Sequence, residues 1–240
     1  MKKLLLAALL FAGTQAIAGD WEKVEGNGNI KKETRNAAGY TAVATSGAFD
    51  VDISYGSSGT ITVEADENLL PYIETVIEGN ELRLKTKKGY SLKSKNKMRV
   101  TVSLTKLTGL KLSGSGNVKG DGNFGNDGTT EISISGSGDI HLGFQKFNAL
   151  EVKISGSGNM KLKGKETSKI SAQISGSGNI DAYDVSANEV TARVSGSGNV
   201  NVTANTSVDA VVSGSGNVNY KGSASAIKQR TSGSGKVRKV

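Results

Sequence analysis

The chain lacks cysteine altogether, has a single proline among its 240 residues, and is only 5% aromatic. Without cysteine there is no disulfide framework, no zinc–thiolate centre and no thiol catalysis. One proline beside 32 glycines excludes collagen, which needs both residues at a three-residue period. Scarce aromatics leave an aliphatic core, as a narrow solenoid would have. The single histidine, His141, has no second histidine with which to hold a metal, and no repeat supplies a serine with a histidine partner. The net charge of +8 is a modest basic excess that favours anionic partners.

Long apolar runs are also missing. The one run, at residues 4–11, is too short to span a membrane as a helix. Lys2 and Lys3 precede it, and Ala16-Ile17-Ala18 follows as a small-x-small cleavage pattern. Residues 1–18 therefore read as a secretory signal, with the mature chain starting at Gly19. No cysteine follows the run, so a lipoprotein anchor is not expected. The expected location is the periplasm, the outer surface or the medium.

What the chain has instead is repetition. Ser-Gly-Ser-Gly occurs seven times, starting at Ser113, Ser135, Ser155, Ser175, Ser195, Ser213 and Ser232, in steps of 22, 20, 20, 20, 18 and 19 residues. Self-similarity at this period marks a solenoid. Around each motif the residues alternate. One parity holds Leu150, Val152, Ile154, Gly156, Gly158, Met160 and Leu162; the other holds Glu151, Lys153, Ser155, Ser157, Asn159 and Lys161. That is a strand with one buried face. The glycines fall on the apolar parity, either because a bend leaves no room for a side chain or because a positive φ breaks the alternation there.

One such coil cannot bury its apolar face, but stacked coils can. Parallel stacking at ~4.8 Å per coil makes a rod on the order of 30 Å long. It predicts an inner ladder of Ile134, Ile154, Ile174, Val194 and Val212, and a second of Val118, Ile140, Met160, Ile180, Val200, Val218 and Val237. Asn117, Asp139, Asn159, Asn179, Asn199 and Asn217 form an outer ladder of hydrogen-bonding side chains. Asp139 is the only carboxylate on it, which is too little for calcium. The expected class is all-β, a parallel β-helix with ~20-residue coils over 106–240. A β-rich segment over 19–105, with at most one short helix, precedes it.

Within that first segment, Gly26-Asn27-Gly28-Asn29-Ile30 reads as a degenerate copy of the repeat, a first turn or a cap. Strands are expected around residues 40–53 and 60–63. Asp66 is placed to cap a short helix that Pro71 disturbs. Residues 72–77 and 81–86 read as a hairpin turned at Gly79-Asn80. The insert at 120–128 carries calcium-type oxygens without the acidic closing ligand of the twelve-residue loop, and so reads as a surface loop.

Residues 46–51 (Ser-Gly-Ala-Phe-Asp-Val), 63–70 (Val-Glu-Ala-Asp-Glu-Asn-Leu-Leu) and the Ser-Gly-Ser-Gly-Asn repeats together resemble the head GIN domain family of "putative auto-transporter adhesins". The resemblance spans nearly all of the mature chain. It implies a right-handed parallel β-helix in the bacterial envelope or outside the cell. With Val240 as the last residue, no membrane barrel is expected after the repeats, unlike in a full autotransporter.

The candidate binding residues lie in two places. Between residues 85 and 99 stand seven cations and no acid: Lys85, Lys87, Lys88, Lys93, Lys95, Lys97 and Arg99. This run is either a solvated hairpin tip or a patch for anionic glycan, lipid headgroup or nucleic acid. Only Tyr90 is interleaved, which makes nucleic acid the weakest of these. The candidate surface is Lys87, Lys88, Lys93, Lys95 and Lys97 together with Asn159, Asn179 and Asn199. No catalytic residue, cofactor or metal is assigned. His141 sits on the polar parity. Asp181, Asp184, Glu189 and Asp209 are the acids that stacking could pair, and many β-helices cleave acidic polysaccharides, so an enzyme stays open by fold analogy only. The other readings are a non-catalytic adhesin or binding module and a passive envelope scaffold.

Overall fold

The computed structural model describes residues 21–240; the signal expected at 1–18 lies outside them. From residue 109 onward the alternating sequence becomes a stack of parallel strands. On one side run Gly109–Gly114, Gly125–Gly136, Lys146–Gly156, Asn159–Gly176, Asn179–Gly196, Asn199–Gly214 and Ala226–Ser232, each paired with the next. After the motif the chain turns and pairs again. There Val118–Gly120 and Ile140–Gly143 precede the start of Asn159–Gly176, and Asn217–Lys221 and Lys236–Lys239 complete the series. The result is a β-solenoid of about seven turns.

The inner ladders form as the alternation dictates. Ile134, Ile154, Ile174, Val194 and Val212 are in register and buried. So are Val118, Ile140, Met160, Ile180, Val200 and Val218, with Val237 half-buried in the last coil. Burying each such side chain stabilises by ~1.5–3 kcal/mol. A slip of one residue would turn the whole set to solvent, so burial fixes the register.

Both sequence readings of the motif's glycines hold, each at a different glycine. The first glycine of every motif has φ between +109° and +134°, where a side chain is strained. The second is buried for want of room. A Cβ on Gly178 would collide with the carbonyl oxygen of Gly158 and stand 2.8 Å from Cγ2 of Ile154. The tight approach makes a bond possible. The Gly136 carbonyl accepts from the N–H of Ser157 at 3.0 Å and of Gly158 at 3.2 Å, and the pattern recurs coil after coil.

The N-terminal half extends the same stack. Ala42–Gly47 and Asp50–Tyr55 form a coil whose Ser46 and Gly47 align with Ser113 and Gly114. Gly47 has φ +113°, and buried Phe49 takes the place of the second glycine. Outside this coil lies another, made of Glu81–Thr86 and Arg99–Leu104, also parallel to it. Antiparallel strands then end the stack. Ile73–Glu78 pairs with Glu81–Thr86 as the expected hairpin, Thr60–Asp66 pairs with Arg99–Leu104, and Ile30–Asn36 pairs with Thr60–Asp66.

Three local expectations are corrected. Residues 26–30 are not a copy of the repeat. They link Glu22–Glu25, which pairs with Tyr90–Lys93, to Ile30–Asn36, and the copy in this half is at 46–50. The short helix is a 3-10 turn, Glu67–Tyr72, and the Asp66 side chain does not cap it. That carboxylate is buried and turned away, accepting from Ser94 Oγ, the Lys95 N–H and Asn96 Nδ2. The insert at 120–128 is more than a surface loop. Phe124 is fully buried edge-on to Tyr55 at 6.3 Å, and buried Asn126 donates to the Thr129 carbonyl and Thr130 Oγ1. An apolar ring and a satisfied amide gain more inside than in water.

Candidate functional site

The outer ladder exists and is longer than the repeats alone indicate. The side-chain amide of Asn159 donates to Asp139, Asn179 to Asn159, Asn199 to Asn179 and Asn217 to Asn199, each at 2.9 Å. At its upper end Asn117 donates to Asp50 at 3.1 Å. Asp50 is thus a second carboxylate on the ladder, beside Asp139. It escaped the sequence reading because its motif is Ser-Gly-Ala-Phe rather than Ser-Gly-Ser-Gly.

The lysine-rich stretch sits at the top of the same corner. In the outermost coil Leu84 stacks on Thr45 and Arg99 on Asp50. Residues 85–98 therefore replace the short bend made by residues 46–49. The excursion is tied down by the buried Asp66. Burial pushes the Asp66 carboxyl up, but the hydrogen bonds from Asn96, Lys95 and Ser94 outweigh it and hold the group below its ordinary value. Gly26 belongs to this knot, since a Cβ there would overlap the Asp66 carboxylate.

The run that is free of acids in sequence meets acids in space. Lys85 pairs with Glu74 at 3.6 Å, Lys93 with Glu25 at 2.9 Å, Lys97 with Asp50 at 3.7 Å and Arg99 with Asp52 at 3.3 Å. The hydrogen bond from Lys93 lowers the Glu25 carboxyl and raises the Lys93 ammonium. Lys87 lies over the ring of Tyr90, 5.8 Å from its centroid. Lys93 and Lys97 line a groove of about 450 Å³ together with Asp50 and Asn117, the head of the amide ladder. Lys87, Lys88 and Lys95 lie outside it, and Asn159, Asn179 and Asn199 continue the same column below.

A family model described as "Putative auto-transporter adhesin, head GIN domain" matches residues 39–224. The chain belongs to this family. The head GIN domain fold is also seen in solved structures. A "putative adhesin" from Bacteroides fragilis is 22% identical, covers 90% of this chain and 100% of its own, and superposes with a TM-score of 0.80. Two proteins from Parabacteroides distasonis, a "putative adhesin" and a "putative lipid binding protein", are 25% and 26% identical. Each covers 91% of this chain and 100% of its own, with a TM-score of 0.68. No curated protein matches the sequence.

In this head GIN domain protein the acids considered for catalysis fall in four different columns. Asp181 stacks on Lys161, Asp184 on Lys163, Glu189 on Lys169 and Asp209 on Thr191. Stacking therefore pairs none of them with another. His141 is exposed between Lys119 and Lys161. Among the described residues no three His, Asp or Glu side chains converge as a metal site, and no helix is long and apolar enough to cross a membrane.

Proposed function

We propose that the protein is an exported binding module of the bacterial envelope, non-catalytic, that contacts an anionic glycan or envelope surface. The contact surface is the lysine-rich excursion where it overhangs the amide ladder: Lys87, Lys88, Lys93, Lys95 and Lys97, continued by Asn159, Asn179 and Asn199. The observation that carries this reading is the groove in which Lys93 and Lys97 meet Asn117. Cations beside a row of amides, interrupted by the carboxylates of Asp50 and Asp139, suit a polymer that carries both charge and hydroxyl groups. The excursion is also held in place by Asp66, and a preorganised surface binds with less ordering to pay for. Membership of a family named for adhesins points the same way.

A second reading is favoured by one observation. Each amide of the ladder donates to its neighbour, as it would in a passive scaffold whose outer polar groups only hold the rod together. Retention of the mature protein on an anionic polysaccharide separates the two. Glutamine at all five lysines should abolish retention with the fold intact, and wild-type retention should weaken as salt rises, since the Debye length is only ~10 Å at 0.1 M. Equal retention of variant and wild type removes the excursion as the site. Silence of both towards glycan and anionic liposomes leaves the scaffold.

A further inference from the structure

We infer that a second, axial track for a linear acidic polysaccharide runs down the rod beside the amide ladder, built from Lys119, His141, Lys161 and Lys163. The inference extends the glycan-binding reading above, and rests on it. In a strand, residues two apart face the same way. The positions two beyond the ladder therefore make a parallel column on the same outer face. Register pairs Asp52 with Lys119, Lys119 with His141, His141 with Lys161, and Lys161 with Asp181. Three basic side chains thus stand on three successive coils, ~4.8 Å apart. Lys163, beside Gly143 in register, adds a fourth one column further out.

These side chains border a groove of about 530 Å³. Its floor is low because Gly143, on the outer parity, lacks a side chain there. A Cβ on Gly143 would collide with Asp121. The cations around it are uncommitted. Among the described residues Lys119, Lys161 and Lys163 take part in no ion pair, whereas the acid at the groove's upper edge, Asp52, already faces Arg99 at 3.3 Å. Asp121 is the other acid lining the groove. At its own position it favours a sugar hydroxyl over a carboxylate.

The geometry points to a polyuronate-like chain. Such a polymer carries one carboxylate per ring, and the length of a ring is of the order of one coil's rise. Successive carboxylates can then meet Lys119, His141 and Lys161 in turn, while hydroxyls reach the neighbouring Asn117, Asp139 and Asn159 of the ladder. The apolar residues that line the groove, Ile53 and Leu142, are buried and offer nothing to enter a bilayer, and no aromatic ring lines it for stacking nucleobases. The track stops at Asp181, where the column changes sign.

The test uses the mature protein and polygalacturonate, with anionic liposomes as a second probe. A variant carrying K119Q, K161Q and K163Q should bind polygalacturonate about tenfold more weakly, as expected for losing three solvent-exposed charge contacts. Its thermal midpoint should be unchanged, because all three side chains are exposed. Asp181→Lys should strengthen binding by lengthening the track, and affinity should rise from galacturonate monomer to tetramer. If the triple variant binds like wild type while the five-lysine variant of the excursion does not bind, the track is wrong and the excursion stands. If the triple variant loses binding to liposomes as much as to polygalacturonate, or if Asp181→Lys has no effect, the surface is a general anion patch and the polysaccharide track falls. If wild type binds no polyanion at all, the glycan reading falls with it.

Discussion

The coils from residue 109 onward and the N-terminal half up to residue 104 share one continuous stack but hold together differently. In the later coils every stabilising device recurs: an inner aliphatic rung, a glycine carbonyl accepting two N–H groups, an amide rung outside. The middle coils are replaceable by one another, while the last has exposed Thr231 in the inner ladder and Lys236 in place of the asparagine. In the N-terminal half the key contacts occur once. Asp66 gathers Ser94, Lys95 and Asn96. Arg35 donates to the carbonyls of Ile73 at 2.6 Å and Leu70 at 3.0 Å, closing the end of the 3-10 turn. Repetition secures a scaffold of nearest-neighbour terms. Unique contacts hold the irregular excursion of residues 85–98, and that excursion carries the lysines.

The sharpest break in this comparison comes from the repeated core. Ile174→Asp puts a charge between Ile154 and Val194, and should destabilise by about 4 kcal/mol or more, whereas exposed Lys153→Asp should change little. Denaturant unfolding of the two variants gives the comparison, and similar midpoints would refute the burial assignment. Gly178→Ala should be next, at about 3 kcal/mol, because the collision is with backbone and cannot be relieved by a rotamer change. The same change at Gly158 should cost about the same. Unequal losses would mean that the coils are not equivalent.

Asp66→Asn tests the other half. It should loosen the excursion and cost about 2 kcal/mol, as expected for hydrogen bonds to a buried charged acceptor. Because the folded carboxyl lies below its ordinary value, its contribution is complete above the unfolded value of about 3.9. It is lost as pH falls through the lower folded value. The gap in thermal midpoint between wild type and variant should therefore be constant near neutrality and close in acid. A gap that stays the same at the acid end would show that charge is not its source. The smallest effect is a gain. Thr45 stands in the inner ladder above Leu112 with its hydroxyl buried and unbonded. Thr45→Val should stabilise by about 1 kcal/mol, and a loss would reveal a partner for that hydroxyl.

Much of this was legible because the repeat makes local pattern and global contact the same thing. The parity of residues 150–162 alone assigns inside and outside, and equal spacing aligns Asn159 with Asn179. The ion pairs of Lys93 and Lys97 were not legible. Their partners, Glu25 and Asp50, lie far back in the chain and are brought near only by the fold. The basic column was half legible, since Lys119, His141 and Lys161 share one offset from the motif, but the groove beside them also needs Gly143 and Asp121 of the insert.

By itself the sequence determined the solenoid, its coil length, its inner ladders and its amide ladder, because a period-two pattern repeated every ~20 residues has only one way to bury its apolar side. Only the tertiary structure decided the order of the first coils. The coil of residues 42–55 lies between that of 81–104 and the one beginning at 109, so the chain lays down the inner coil before the outer one. No local pattern encodes this. Parallel edges of similar coils are interchangeable as hydrogen-bonding partners, and the choice falls to contacts distant in sequence: buried Phe49 filling the corner above Gly116, and the antiparallel strands that cover the outermost coil.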